Sequence, residues 1–219
     1  METYVFDIET GPLPLAELTA MLPPFDPSEV KVGNLKDPEK VAEKIAQARE
    51  EHRSNFFNKA ALDPLTGRVL AIGVLDTLTE EAEVLAVPEE ARMLEWFWKR
   101  CKGEMGRIET MIGFNSNLFD LPFLIRRSWR LGVQIPLGIR RGRYWGENMV
   151  DLREVWQLGD RMARGSLDAI SRHLEVGQKS GVGADFAGLL ASDREAALAY
   201  LRKDLGLTLA VARKLGVVE

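Results

Sequence analysis

Cysteine and histidine are almost absent from this chain. The single cysteine, Cys101, cannot form an internal disulfide, and His52 and His173 are too few beside it for a Cys/His zinc site. No stretch approaches the ~20 uncharged apolar residues of a membrane-spanning helix. The N-terminus, METYVFDIET, is acidic within two residues and has no basic-then-apolar leader. Together these absences predict a reduced, cytoplasmic setting with no membrane partner. A basic excess is lacking too. With 29 Lys+Arg against 33 Asp+Glu the net charge is −4, so overall charge does not draw the chain to nucleic acid, and such binding would need a local basic groove. What the chain does have is apolar material: 46% of 219 residues, enough for one full-sized core, so a single domain over 1–219 is expected.

The order of elements follows from hydrophobic spacing. Tyr4-Val-Phe-Asp-Ile8 is short, β-branched and aromatic, and is stopped by Gly11-Pro12, which predicts a buried strand ending near Thr10 and carrying acids. An elaboration follows, about 11–67, with proline clusters and then a charged helical segment near 38–62 whose Val41, Ile45 and Ala48 recur at helical spacing. Runs 68–75 and 83–87 read as a hairpin of strands. Pro88 opens a helix with Leu94, Phe97, Trp98 and Cys101 on one stripe. Then come a strand at 110–114, a helix at 121–131, a short strand at 150–152, and helices starting near Gly165 and Ser192. The last is signalled by Ser192-Asp-Arg-Glu195, a capping-box pattern, and runs to Lys214. Gly177 to Gly183 reads as a flexible loop whose Lys179 could touch substrate. This order gives an α/β fold with a mixed sheet.

Three places carry acids in suggestive positions. Asp7 and Glu9 are two apart on a strand, so both carboxylates project from one face at its carboxyl end, where their repulsion would be relieved by a hard divalent cation. Asp120 precedes a helical turn opened by Pro122, where it could equally serve as a cap. Tyr200 and Asp204 are four apart on the last helix, on one face and beside the main apolar stripe. Taken singly, each has a plain structural account.

Taken in order, Phe6-Asp-Ile-Glu-Thr10, Gly113-Phe-Asn-Ser-Asn-Leu-Phe-Asp-Leu-Pro-Phe-Leu124 and Tyr200-Leu-Arg-Lys-Asp204 resemble the three exonuclease motifs of the DEDD superfamily. The middle motif most resembles the proofreading domain of family-B DNA polymerases and its stand-alone bacterial and phage relatives, which Lys31–Glu39 and Ala61–Arg68 also resemble. The resemblance implies a ribonuclease H-like fold, a mixed central β-sheet flanked by helices with a helical insertion after the first strand. It further implies that Asp7, Glu9, Asp120 and Asp204 gather around two divalent cations, Mg2+ or Mn2+. The implied activity is 3′→5′ exonucleolytic release of nucleoside 5′-monophosphates, with Tyr200 orienting the attacking water. Ala199 stands where the histidine subclass has its histidine, so the tyrosine subclass is expected. The implied partner is nucleic acid, a single-stranded DNA 3′ end. Trimming of RNA 3′ ends and a non-catalytic nucleic-acid-binding module stay open as alternatives.

For substrate contacts, the resemblance maps Thr10 and Asn115 near the terminal nucleotide. Between Leu121 and Gly146 lie Arg126, Arg127, Arg130, Arg140, Arg141 and Arg143 with no acid, interleaved with Trp129, Tyr144 and Trp145. Guanidinium groups pair with phosphates and aromatic faces stack on bases, so Arg126, Arg127, Arg130, Arg141 and Trp145 form an expected track for a single strand.

Overall fold

The computed structural model describes residues 2–103, 107–139, 146–160, 162–179 and 186–219. The chain divides into two units, residues 11–68 and the remainder. Among the described residues no helix is long and apolar enough to cross a membrane.

The larger unit is built on a five-stranded sheet. Its strands are β1 (Thr3–Pro12), β2 (Gly67–Asp76), β3 (Ala82–Leu85), β4 (Thr110–Gly113) and β5 (Met149–Asp151), in spatial order β3-β2-β1-β4-β5. β2 and β3 pair antiparallel, as the hairpin reading requires, whereas β1–β4 and β4–β5 are parallel. The sheet is therefore mixed, and with helices on both faces the fold is α/β and ribonuclease H-like.

Alternation along β1 assigns the two faces. Tyr4, Phe6 and Ile8 enter one core with α3 (Glu90–Cys101) and α4 (Asp120–Leu131), whereas Val5 enters the other with Leu205 of α8 (Arg194–Lys214) and Ile170 of α6 (Leu167–His173). Asp7 and Glu9 share Val5's parity and so face the α8 side. Gly73 of β2 lets α8 lie against the sheet. A Cβ there would stand 2.7 Å from Leu205 Cδ1 and 3.1 Å from Leu201 Cγ.

On the opposite face Glu90 ties three elements together. Its carboxylate accepts from the Val69 N–H at 2.9 Å and from Arg127 Nε and Nη2 at 2.9 and 2.7 Å. Trp98 Nε1 donates to Ser128 Oγ at 2.7 Å, joining α3 to α4.

Several boundaries differ from the sequence reading. α5 (Leu152–Gln157) directly follows β5 because Asp151 accepts from the Arg153 N–H and caps it, so Leu152 is helical. α7 (Phe186–Ser192) is a short helix that sequence spacing does not announce. Ser192 closes α7, its Oγ donating to Gly188 O at 2.9 Å, and Asp193 is the residue that caps α8. The cap is thus one residue later than expected and no capping box forms, since Ala196 stands where the reciprocal glutamate would be and the preceding helix claims the serine.

The smaller unit contains α1 (Leu15–Met21), which lies between proline clusters and has no sequence signal, and α2 (Pro38–Lys59). α2 starts at Pro38 with Asp37 accepting from the Glu39 N–H at 3.0 Å, and passes into a 3-10 turn at Ala60–Leu62. None of its residues is buried. Phe25 packs edge-on to His52, ring centroids 5.8 Å apart, and the Arg49 guanidinium lies over Phe25 at 5.4 Å. The ends of the unit are tied by the Leu13 N–H donating to Thr66 O at 2.9 Å.

Candidate active site

Because β1 turns Asp7 and Glu9 toward α8, the helix can complete a cluster. One carboxylate oxygen each from Asp7, Glu9 and Asp204 lie within 4.8 Å of one another, with Glu9 and Asp204 buried and Asp7 half-buried. Asp204 reaches them because Leu201 and Leu205, on either side of it along α8, seat against Gly73. Asp120 opens α4 in the same cleft. It does not cap its helix; Phe119 holds the cap position without a side-chain bond, and Asp120 Oδ1 instead accepts from the Ile8 N–H at 3.3 Å. That bond sets α4 at β1, between the two cluster acids.

The electrostatics follow from burial and crowding. Burial first, then the Asp204 charge, pushes the Asp7 carboxyl up to about 7. Burial and the charges of Asp7 and Asp204 push Glu9 up to about 9. Asp120 is held well above the usual carboxylate range by burial and by Asp7. One cation answers this charge. Lys179 Nζ lies 2.7 Å from Asp204 Oδ2, and although burial disfavours its ammonium, that pairing raises its pKa on balance. Lys179 is positioned by its own backbone, whose N–H donates to Asp168 Oδ1 at 2.8 Å. Tyr200, one turn before Asp204, is buried, and its hydroxyl has no hydrogen-bond partner among the described residues. Burial and the Asp204 charge raise it to about 12, so the phenol keeps its proton.

The donor set is entirely carboxylate oxygen, which suits hard divalent cations such as Mg2+ and Mn2+ and disfavours softer metals. Buried, mutually repelling carboxylates are what such a cation would relieve. The residues present therefore fit a metal site at Asp7, Glu9 and Asp204, with Asp120 beside it.

The cleft has a volume of about 380 Å³, and its walls include Asp7, Glu9, Asn115, Asp120, Arg153, Ser166 and Lys179. Asn115 has a left-handed backbone, φ 60°, and is fixed by its N–H donating to Asp151 Oδ1 at 2.8 Å. Thr10 continues β1 half-buried and is not among the residues lining the cleft. Arg126 and Arg130 are exposed on α4 with Trp129 between them. Arg127 does not join them. The helical period turns it into the core, where it is buried in the bidentate pair with Glu90, so the expected role at substrate is corrected to a structural one. Arg141 and Trp145, with Arg140, Arg143 and Tyr144, lie outside the described residues.

Sequence reasoning left Arg153 and Asp151 unremarked and gave Lys179 only a passing role. Nothing local marks them, since each acquires its position through a partner distant in the chain.

One comparison bears on the fold. The structure of the family B DNA polymerase from the hyperthermophilic archaeon Pyrobaculum calidifontis is similar to 98% of this chain, with a TM-score of 0.64 and 19% identity. This chain corresponds to 24% of that polymerase chain. No protein-family model and no curated protein matches the sequence.

Proposed function

We propose that this chain is a metal-dependent 3′→5′ exonuclease of the tyrosine type, working over 1–219 as one exonuclease domain and degrading single-stranded DNA from its 3′ end to nucleoside 5′-monophosphates. The observation that carries the reading is the convergence of Asp7, Glu9 and Asp204 to within 4.8 Å from a strand and a helix at opposite ends of the sequence. Asp7 and Glu9 of the first motif and Asp204 of the third supply that cluster, Asp120 of the second lines a cleft with Asp7 and Glu9, and the likeness in fold to a DNA polymerase supports nucleic acid as the substrate.

In this reading Asp7, Glu9, Asp120 and Asp204 hold two divalent cations, Mg2+ or Mn2+. When bound, such ions act as Lewis acids toward a phosphodiester and its attacking water. The chain's own groups do the rest. Asp120, bonded to the Ile8 N–H, keeps the β1 acids and α4 in fixed relation. Tyr200, protonated, donates a hydrogen bond that orients the attacking water and holds no negative charge of its own. Lys179 offsets the cluster charge at Asp204. The exposed Arg126, Trp129 and Arg130 offer charge and a stacking face to the strand beyond the cleft.

The test is digestion of a 5′-labelled single-stranded DNA and of its RNA counterpart with Mg2+, Mn2+ or chelator, with Asp7→Asn as control. A metal-dependent ladder that shortens from the 3′ end and is absent in the variant is expected on DNA. Shortening of RNA in preference would move the substrate to RNA 3′ ends, and no shortening of either strand would overturn the reading.

A further inference from the structure

Among the described residues two cations line the cleft, and they differ in one respect. Lys179 is committed to Asp204, whereas Arg153 meets no carboxylate among the described residues. Arg100, Arg127, Arg172 and Arg213 each pair with an acid, and although Arg68 also has a buried Nε without a hydrogen-bond partner, Arg153 is the arginine among the described residues that lines the cleft. Its Nη1 donates to Asn115 Oδ1 at 2.7 Å, while its Nε is buried with no hydrogen-bond partner. A half-buried guanidinium without a carboxylate partner is unfavourable, and because Arg153 lines the cleft an anion there would offset its charge.

The group is also held in place. Asp151, itself buried, accepts from the Arg153 N–H at 2.9 Å, the Asn115 N–H at 2.8 Å and the Asn117 N–H at 3.0 Å. The guanidinium and the amide that orients it are therefore anchored to one carboxylate. A neutral carbonyl fixes the orientation of the fork without neutralising its charge, which leaves the remaining N–H groups to a planar or tetrahedral oxyanion. Asp7 and Glu9 of the acid cluster line the same cleft, so an anion at Arg153 would share the cleft in which the exonuclease reading places cutting.

We propose that Arg153, oriented by Asn115, binds a backbone phosphate of the strand whose 3′ terminus enters the acid cluster. The identity of the strand rests on the exonuclease reading; the anion site itself rests on the unpaired guanidinium. Arg153 is thus a substrate-binding residue supplied by α5, a helix to which the exonuclease-like motifs contribute nothing.

The test measures binding apart from cleavage. A short 5′-fluorescein-labelled single strand is titrated by anisotropy with Ca2+ in place of Mg2+, against the unaltered protein, Arg153→Gln and Arg153→Lys, over a salt series. The same titration is run with strands carrying one neutral methylphosphonate at each linkage near the 3′ end. Arg153→Gln should weaken binding about tenfold and lower the slope of log affinity against log salt by about 0.7, the loss of one phosphate contact. Arg153→Lys, which keeps the charge without the fork, should restore the slope and part of the affinity. One methylphosphonate position should weaken the unaltered protein about tenfold and leave Arg153→Gln unaffected, because the same contact cannot be lost twice. Equal affinity and slope in Arg153→Gln would overturn the proposal, as would methylphosphonates that weaken both proteins alike. Melting curves separate a folding defect: a variant that melts early is judged by Arg153→Lys and by the methylphosphonate series on the unaltered protein. Digestion of the same strands with Mg2+ keeps the two readings apart. Binding that shows the Arg153 contact without any shortening would overturn the exonuclease and keep the phosphate site; shortening with no Arg153 contact would overturn the site alone; no strand binding at all would overturn both.

Discussion

Two groups of buried acid lie close together in this fold and are treated in opposite ways. Asp151, at the end of β5, accepts from three backbone N–H groups, those of Asn115, Asn117 and Arg153. Among the described residues Asp7, Glu9 and Asp204 share Lys179 as their ion-pair partner, and burial and the neighbouring acids push Asp7 and Glu9 upward. The first arrangement stabilises a loop, since each hydrogen bond satisfies a donor that would otherwise be stranded. The second stores repulsion. Satisfaction marks a structural carboxylate and its absence marks one kept for a ligand.

The comparison predicts opposite outcomes of mutation. Asp7→Asn should reduce 3′ shortening at least about a thousandfold while leaving the melting temperature equal or higher, because it removes one member of a repelling set; measuring both on the same preparation checks it. Asp151→Ala should do the reverse, with stability as the primary loss. Three donors are left without their acceptor, and a denaturant titration should show a loss of about 3 kcal/mol. If Asp7→Asn proved the more destabilising of the two, the distinction would collapse.

A pH series sharpens it. The native protein keeps protons on Asp7 up to about 7 and on Glu9 up to about 9, whereas their ordinary values are 3.8 and 4.5. Above about pH 4 the unfolded chain therefore binds fewer protons than the native one, and stability falls as pH rises through this window. With chelator present, the melting temperature at pH 9 should be at least about 4 °C below that at pH 5, the equivalent of about 1–2 kcal/mol. Millimolar Mg2+ should flatten the difference, since a cation bound to the ionised acids reverses their preference for the proton. A chelated protein whose melting is flat across the range would argue against the cluster. The smallest effect belongs to Tyr200→Phe. Its hydroxyl has no hydrogen-bond partner among the described residues, so melting should shift by no more than about 0.5 kcal/mol while shortening slows about tenfold.

Much of this was legible in the sequence, for particular reasons. Asp7 and Glu9 could be placed on one face because strand parity is a local property. The stripe Leu94, Phe97, Trp98 and Cys101 is buried as its helical spacing predicts. Asp120 was ambiguous between a cap and a site acid, because both uses suit an acid before a helical turn; only its bond to the Ile8 N–H, made across the sheet, separates them. Arg127 was misread since the arginine-rich run suggests one charged surface. In the helix, the residue between Arg126 and Ser128 points inward, and Glu90 from another helix neutralises it. α1, α5 and α7 are seven, six and seven residues long, too short for a period to declare itself.

The sequence by itself determined the periodicities, and with them the strand that presents two acids, the helix that presents a tyrosine and an acid, and the α/β order that connects them. Tertiary structure decided which groups meet. Lys179 comes to Asp204, Arg153 to Asn115 and Asp151 to the loop at 115–117 through hydrogen bonds and ion pairs between segments far apart in the chain. Such pairings depend on how helices seat on the sheet, here on the space Gly73 leaves for Leu201 and Leu205, and a local pattern of residues carries no record of that space.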